Sequence, residues 1–594
     1  MLYPTLNVQK SSREMVDEFK GYNHNLRIGD GDFFDMHNMT SDYYPTLSPR
    51  GKRGVYASPD APGGLIAKDT LCYVDGQNFV MNEYTIDMGL SADGPKQLIS
   101  MGAYVIILPD KKYINTEDIT DFGNIEAEFT TTDTVSFSLS KLDGSEYAPE
   151  YIQAEEPSDP ANMTLWIDTS STPHSLMQWA ESSSMWVSIA TTYVKISSTG
   201  IGKAFEKYDG ITISGLRDTV LHDSNTGAEI SDTSELAAFE GSAIVWDKDD
   251  DFIVIVGMLD TTLSISEPVT ISRKMPNMDF VVESENRLWG CRYGTAANGD
   301  VVNEVYASKL GDFKNWNCFM GVSTDSYSAS VGTDGRFTGA ITLPGCVLFF
   351  KENCIHKVYG NYPANFQIQT TVCRGVQRDC ERSLAIVNEV IYYKARHAIC
   401  AYDGSLPTEI SYAMGDERYK NAVGGSHGNK YYISMQDMND QYHLFVYDTA
   451  KGMWHREDNL QADDFCSCRE ELYCIDHNSK KIITMLGSGT QDTDDVTWMV
   501  ETGEIGISYP DMKYISRLTV RMNMDVDSEV RIYAQYDFAD TWEMLYAIRS
   551  SSLRSFAIPI KPKRCDHMRL RIEGEGEAKI YSITKTIEQG SDIS

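Results

Sequence analysis

The sequence contains no CxxC pair, no HExxH, no Walker A loop and no Rossmann glycine fingerprint. Those absences exclude zinc ribbons, thioredoxin-like redox sites, zincin proteases and the common nucleotide-binding loops. No run approaches 18 apolar residues, so no helical membrane span and no membrane anchor is expected. Residues 1–20, MLYPTLNVQKSSREMVDEFK, lack the apolar centre of a secretory signal, which points to folding in a cytosol. Basic residues are scarce. The 52 Lys and Arg stand against 86 Asp and Glu, a formal net charge of −34. These acids are spread along the chain, so they describe a surface that repels a phosphate backbone. Helical periodicity is nearly absent as well, and SSREMVDEFKGY (11–22) is the best short helix.

What is present reads as strand. With 594 residues the chain is long enough for about three or four domains. Tyrosine (34) outnumbers phenylalanine (21), which favours half-wet pleated surfaces over helical bundles. The 12 cysteines mostly sit in apolar runs, as Cys346 does in GCVLFF, and read as buried thiols.

Residues 1–55 mix Gly, Asp, Pro and aromatics without a period and read as an extended arm. From 56 to 120, short apolar runs alternate with turns such as DG and PDKK, giving the first part of a β-propeller. Residues 121–275 break the rhythm and read as inserted small β-modules. From 276 to 504 the short strands return in ENRLWGCRYG, EVYASKL, GCVLFFKENCIHKVYG and NKYYISMQDMNDQYHLFVYDTAKGMWHRED. Units of roughly 40–50 residues with four short strands each are the mark of propeller blades. Residues 505–594 alternate apolar and polar side chains and predict a C-terminal β-sandwich. The predicted fold class is therefore all-β.

Motifs that could carry chemistry are few. GGSHG (424–428) matches the serine-hydrolase elbow, but a strand pattern follows where that elbow needs a helix, so a turn is expected. Asp247, Asp249, Asp250 and Asp251 lack the Gly and distal Glu of an EF-hand and read as a hairpin tip. Paired carboxylates for glycoside cleavage would not stand out among 86 acids. The reading is of no catalytic residue, no metal site, no cofactor and no enzyme. Trp166, Trp179 and Trp186 in the insertion are candidate glycan contacts, because exposed indoles stack on sugar faces; structural packing is the plainer role. KPKRCDHMRLR (561–571) is the most basic stretch and reads as a strand balancing an acidic protein.

ENRLWGCRYG with EVYASKLGDFKNWN, LFFKENCIHKVYGNYPANFQ, and MHNMTSDYYPTLSPRGKRG near the start resemble virion propeller proteins of tailed phages and prophages, namely tail nozzle (tail tubular) and packaged-DNA stabilisation proteins. IPIKPKRCDHMRLRIEGEGEAKIYSITKTIEQGSD is similar to the C-terminal domain of versions in prophages of Gram-positive bacteria. The resemblance implies a structural virion protein, assembled in the host cytoplasm as a homo-oligomeric ring of six below the portal and adaptor. That ring would retain packaged double-stranded DNA and conduct it during ejection, without sequence-specific binding. The alternatives are a receptor- or carbohydrate-binding tail protein and a propeller glycosidase or depolymerase.

Overall fold

A computed structural model describes residues 11–589 apart from 93, 217–220, 224–228, 231–233, 297–298, 489, 492–494, 509–511, 538 and 550–551. Among these residues, seven small antiparallel sheets close into a β-propeller. Blade 1 covers 62–87, blade 2 covers 97–124, blade 3 covers 280–330 and blade 4 covers 337–372. Blades 5 and 6 cover 385–409 and 420–456. Blade 7 takes 462–484 and borrows Gly54–Ala57 as its fourth strand, with Thr490–Gln491 paired on the far side. ENRLWGCRYG and EVYASKL supply the second and third strands of blade 3, Arg287–Thr295 and Val301–Ala307.

The local sequence explains the blade shape. Many of the turns between strands are tight, and two of them hold consecutive residues at positive φ: Glu285 and Asn286 (52° and 59°), and Asn388 and Glu389 (49° and 65°). Left-handed pairs of this kind match the twist of two-residue hairpins. The second strand of a blade is covered on both faces by adjacent blades, so it reads as a continuous apolar run. Cys346–Lys351, CVLFFK, is buried at every position. Each buried Phe, Leu or Val of such a run contributes about 1.5–3 kcal/mol of burial.

Ring closure joins the two ends of the propeller. Gly54, Val55 and Ala57 pair with Thr484, Ile483 and Ile482. A Cβ on Gly54 would collide with the Ser488 carbonyl oxygen, so this position needs glycine. Just before it, Arg53 donates to Asp458 at 2.6 Å and to Glu457 at 2.7 Å, and Arg50 reaches Asp458 at 3.3 Å. Burial opposes the Asp458 charge, yet Arg53 and Arg50 hold its carboxyl below the usual carboxylate range.

Between blades 2 and 3 the chain builds the insertion. A four-stranded sheet (Ala127–Thr130, Thr270–Arg273, Gly210–Ser214, Gly241–Ile244) shares one core with a seven-stranded sheet centred on Val135–Ser140 and Tyr193–Ser197. Phe137, Ile196, Phe205, Ile211 and Ile271 fill that core. Asp209, ion-paired with Arg273, accepts from Asn315 Nδ2 at 2.8 Å, and Gly210 N–H donates to Asn315 Oδ1 at 2.9 Å. That network fixes the insertion to blade 3. A separate small sheet, Tyr151–Gln153, Leu165–Asp168, Ser175–Ala180 and Met185–Ser188, hangs from the connection between Val135–Ser140 and Tyr193–Ser197.

The C-terminal part is a sandwich of a four-stranded and a six-stranded sheet. Its strands alternate strictly, as in Glu529–Tyr536, where buried residues fall at every second position. The segment read as an extended arm is part of this sandwich. Ser11–Val16 pairs with Ala578–Gln589, and Asp32–His37 pairs with Thr497–Thr502. The helix expected over 11–22 is thus a strand. Its exposure alternates with period two along an edge of the sheet, and that pairing overrides weak helical propensity. The described residues of the 12 cysteines are free thiols, ten of them buried.

Two predictions follow from these contacts. Among the described residues, Arg53→Ala leaves Arg50 as the one remaining cation beside the Glu457 and Asp458 carboxylates, so a denaturant melt should show a loss of up to about 3–5 kcal/mol. His356 and His455 are depressed to about 4 and about 3, chiefly by burial and then by Lys351 and Lys430. Both stay neutral when folded at pH values where the unfolded chain protonates them. Stability should therefore fall as pH drops below about 6.5, by up to about 1.4 kcal/mol per pH unit for each histidine. Melting midpoints of wild type and His356→Gln between pH 7 and pH 4.5 measure the contribution.

Candidate functional site

The leading strands of the blades face the propeller axis and leave a central cavity of about 680 Å³. Lys96, Asp279, Glu381, Arg382 and Asp464 bring charge to its wall. Arg382 donates from Nη1 to the Asp463 carbonyl at 2.6 Å and from Nη2 to the Lys96 carbonyl at 3.3 Å. Lys96 is itself buried and paired with Asp110 at 2.8 Å. Asp464 accepts from Leu65 N–H at 2.9 Å and from its neighbour Phe465 N–H at 3.0 Å. It thereby ties blade 7 to blade 1 inside the ring. Desolvation raises the Asp464 carboxyl above its ordinary range, even with Arg382 nearby. A carboxyl that keeps its proton longer than usual has the property a general acid needs, and Glu381 supplies a second carboxylate on the same wall.

A second arrangement lies on the small sheet of the insertion. Tyr151, Trp166, Met177 and Ser188 are in register across its four strands, and Trp179 pairs with Trp186 two residues along. Side chains at these positions share one face. All three tryptophans named from the sequence are therefore gathered on one side. Trp186 packs edge-on against Trp166 (centroids 5.2 Å apart) and against Trp179 (5.4 Å). Trp166 is the floor: it is buried, and its Nε1–H donates to the Gln153 carbonyl at 2.8 Å. Trp179 and Trp186 are half-exposed above it, and Tyr151 is exposed beside them. Trp186 Nε1–H lies against its neighbours without a hydrogen-bond acceptor. The opposite face carries Ile167 and Leu176, which pack on Leu139, Tyr147 and Met258 of the insertion. The aromatic face is thus the one turned away from the protein. Trp166 has the structural role expected of a tryptophan in a small module; Trp179 and Trp186 form the accessible ridge.

Other motifs resolve into structure. GGSHG does not form a turn between blades. It ends the inner strand Lys420–His427 of blade 6, with Ser426 paired to Tyr431 across the hairpin and no helix behind it. Asp247–Asp249 pairs with Phe252–Val256, and Asp250 and Asp251 make the hairpin tip. In the basic stretch, Arg569 pairs with Glu501 and Glu504, and Arg571 with Glu501. Asp464, Glu381 and Arg382 were not singled out from the sequence. The signal that could have found them is position: each lies on or just before the leading strand of a blade.

No family model and no curated protein matches the sequence. Among solved structures the chain is similar to an exo-β-1,3-galactanase from Phanerochaete chrysosporium, at 8% identity over 51% of this chain and 94% of that one, with a TM-score of 0.22. It is similar to AztD from Citrobacter koseri at 9% identity, over 74% and 96% of the two chains, with a TM-score of 0.26. It is also similar to the phage phi92 endosialidase at 9% identity, over 80% and 69%, with a TM-score of 0.21. Likeness at this level concerns fold alone, and the fold is an all-β propeller.

The expectation that the chain is not an enzyme is corrected here. Two further similar solved structures are glycoside hydrolases, at 11% and 8% identity. That expectation rested on missing local motifs alone. In a propeller the groups around the axis come from different blades, so a catalytic set leaves no contiguous signature.

The layered tryptophans give separable outcomes. Trp166→Ala should loosen the small sheet by about 3–5 kcal/mol, as for other buried large-to-small changes. Trp179→Ala should cost far less. Hydrogen exchange across 151–188 in the full chain distinguishes the two.

Proposed function

We propose that this chain is a glycan-recognising propeller protein, with the outward aromatic face of the small sheet as its contact surface. The observation that carries this reading is the grouping of Tyr151, Trp179 and Trp186 over Trp166 on the face that the insertion does not cover. Rigid indole and phenol rings offer large amphipathic contact at low entropic cost, and sugar rings present C–H faces to stack on them. Asp168 and Gln153 share this face and supply polar groups beside the rings. Calorimetry with fragments of bacterial wall glycans should show binding by the full chain. Trp179→Ala with Trp186→Ala should weaken it roughly a hundredfold, about 2.7 kcal/mol. Binding unchanged in the double variant would sink the assignment.

A second reading, glycan cleavage, is favoured by the raised Asp464 carboxyl and Glu381 on one cavity wall. It expects release of new reducing ends, lost in Glu381→Gln and Asp464→Asn variants that retain the wild-type melting profile.

The resemblance to phage virion proteins supports a place for the chain in a tailed-phage particle, where a glycan surface would meet the host wall. The nozzle ring on packaged DNA draws its support from the same resemblance and from the net charge of −34, which suits DNA passing without sticking. Electron cryomicroscopy of particles tells the two positions apart: copies around the DNA channel, or copies at the tail periphery.

A further inference from the structure

His174, Glu235 and Asp260 come together from three separate segments, each offering a ligand atom within 4.8 Å of the others. His174 lies in the turn between Leu165–Asp168 and Ser175–Ala180 of the small aromatic sheet. Asp260 lies between Phe252–Val256 and Leu263–Ile265 of the insertion, and Glu235 lies in the short helix Ser234–Ala237. His174 Nδ1 stands 2.7 and 2.9 Å from the two Asp260 carboxylate oxygens. All three side chains are partly shielded from solvent.

We infer that these residues bind a divalent transition-metal cation, zinc in the first instance, and that the cation fastens the aromatic sheet to the body of the insertion. Imidazole with two carboxylates is a ligand set for zinc, and three protein ligands leave a fourth position for water. Metal–ligand bonds of about 2.0–2.2 Å are reached by small side-chain rotations from the present spacing. Ligation through Nδ1 needs the neutral imidazole tautomer that carries its one proton on Nε2, so the cation takes the place of the Nδ1 hydrogen bond to Asp260.

The packing explains why a fastening is useful. The small sheet meets the insertion through a cluster whose fully buried members are Leu139, Ile167 and Leu176. A contact that small supplies little burial energy, and small β-modules commonly add a metal or a disulfide to hold their place. No disulfide joins the two parts. This inference does not depend on the glycan reading.

The test uses the full chain stripped with a chelator. Titration with zinc chloride should show about one equivalent bound and a rise in melting midpoint. His174→Ala and Glu235→Gln should each weaken uptake by roughly tenfold or more and abolish the rise. Glu235→Gln preserves the His174–Asp260 contact, so its loss of binding cannot come from breaking that pair. His397→Ala, at an exposed position in blade 5, should leave uptake unchanged. Cobalt in place of zinc should give a spectrum of nitrogen and oxygen ligands without a thiolate charge-transfer band. No uptake by the wild type, equal uptake in both ligand variants, or a thiolate band from the cysteines would each overturn the assignment.

Discussion

A propeller is stable only when its last blade meets its first, and here two independent contacts make that meeting. On the outside, Gly54–Ala57 completes blade 7 with backbone hydrogen bonds, anchored by Arg50 and Arg53 on Glu457 and Asp458. On the inside, Asp464 of blade 7 accepts the Leu65 N–H of blade 1. Each blade has faces that only a neighbouring blade can cover, so an open ring would expose apolar surface along its whole break. The rest of the architecture depends on this closure. The insertion leaves from blade 2 and returns to blade 3, and the sandwich shares a continuous core with blades 4 to 6 through Tyr22, Phe33 and Met36.

The same closure shapes the cavity chemistry. Asp464 is held by backbone donors because it joins two blades, and that position also desolvates it. Ring closure and a raised carboxyl pKa therefore meet in one side chain. Arg382 does comparable double duty, spanning from blade 5 to carbonyls before blade 2 and in blade 7 while carrying positive charge into the cavity. The aromatic face obeys different physics. It stands at the tip of an insertion, away from the axis, and depends on a thin core beneath it. One surface is rigid because the ring is rigid; the other is positioned by local fastening.

Charge follows a consistent pattern. The large negative excess lies at the surface, while the cations that are buried have named partners. Arg53 has two carboxylates, Arg273 has Asp209, and Lys351 donates to Asn303 Oδ1 and the Thr333 carbonyl. In the basic run at 561–571, Arg569 and Arg571 pair with Glu501 and Glu504 within the sandwich, and Lys563 pairs with the exposed Glu543. A buried cation without such partners would carry a desolvation cost of several kcal/mol.

Strand content, blade-like units and the three tryptophans were legible from residue order alone, because side-chain alternation, tight-turn residues and aromatic placement are properties of neighbours in the chain. GCVLFF read as a buried apolar run, and the alternation over 505–594 read as half-covered sheet. Pairings between distant segments were not legible. Ser11–Val16 could be read as a helix until its partner 570 residues away was known, and Gly54–Ala57 gave no sign that it would finish blade 7. The grouping of Asp464 with Glu381 and Arg382, and of His174 with Glu235 and Asp260, belongs to the tertiary structure alone. Sequence records local periodicity; which remote side chains share a cavity is decided by how the ring closes and how the insertion folds back on itself.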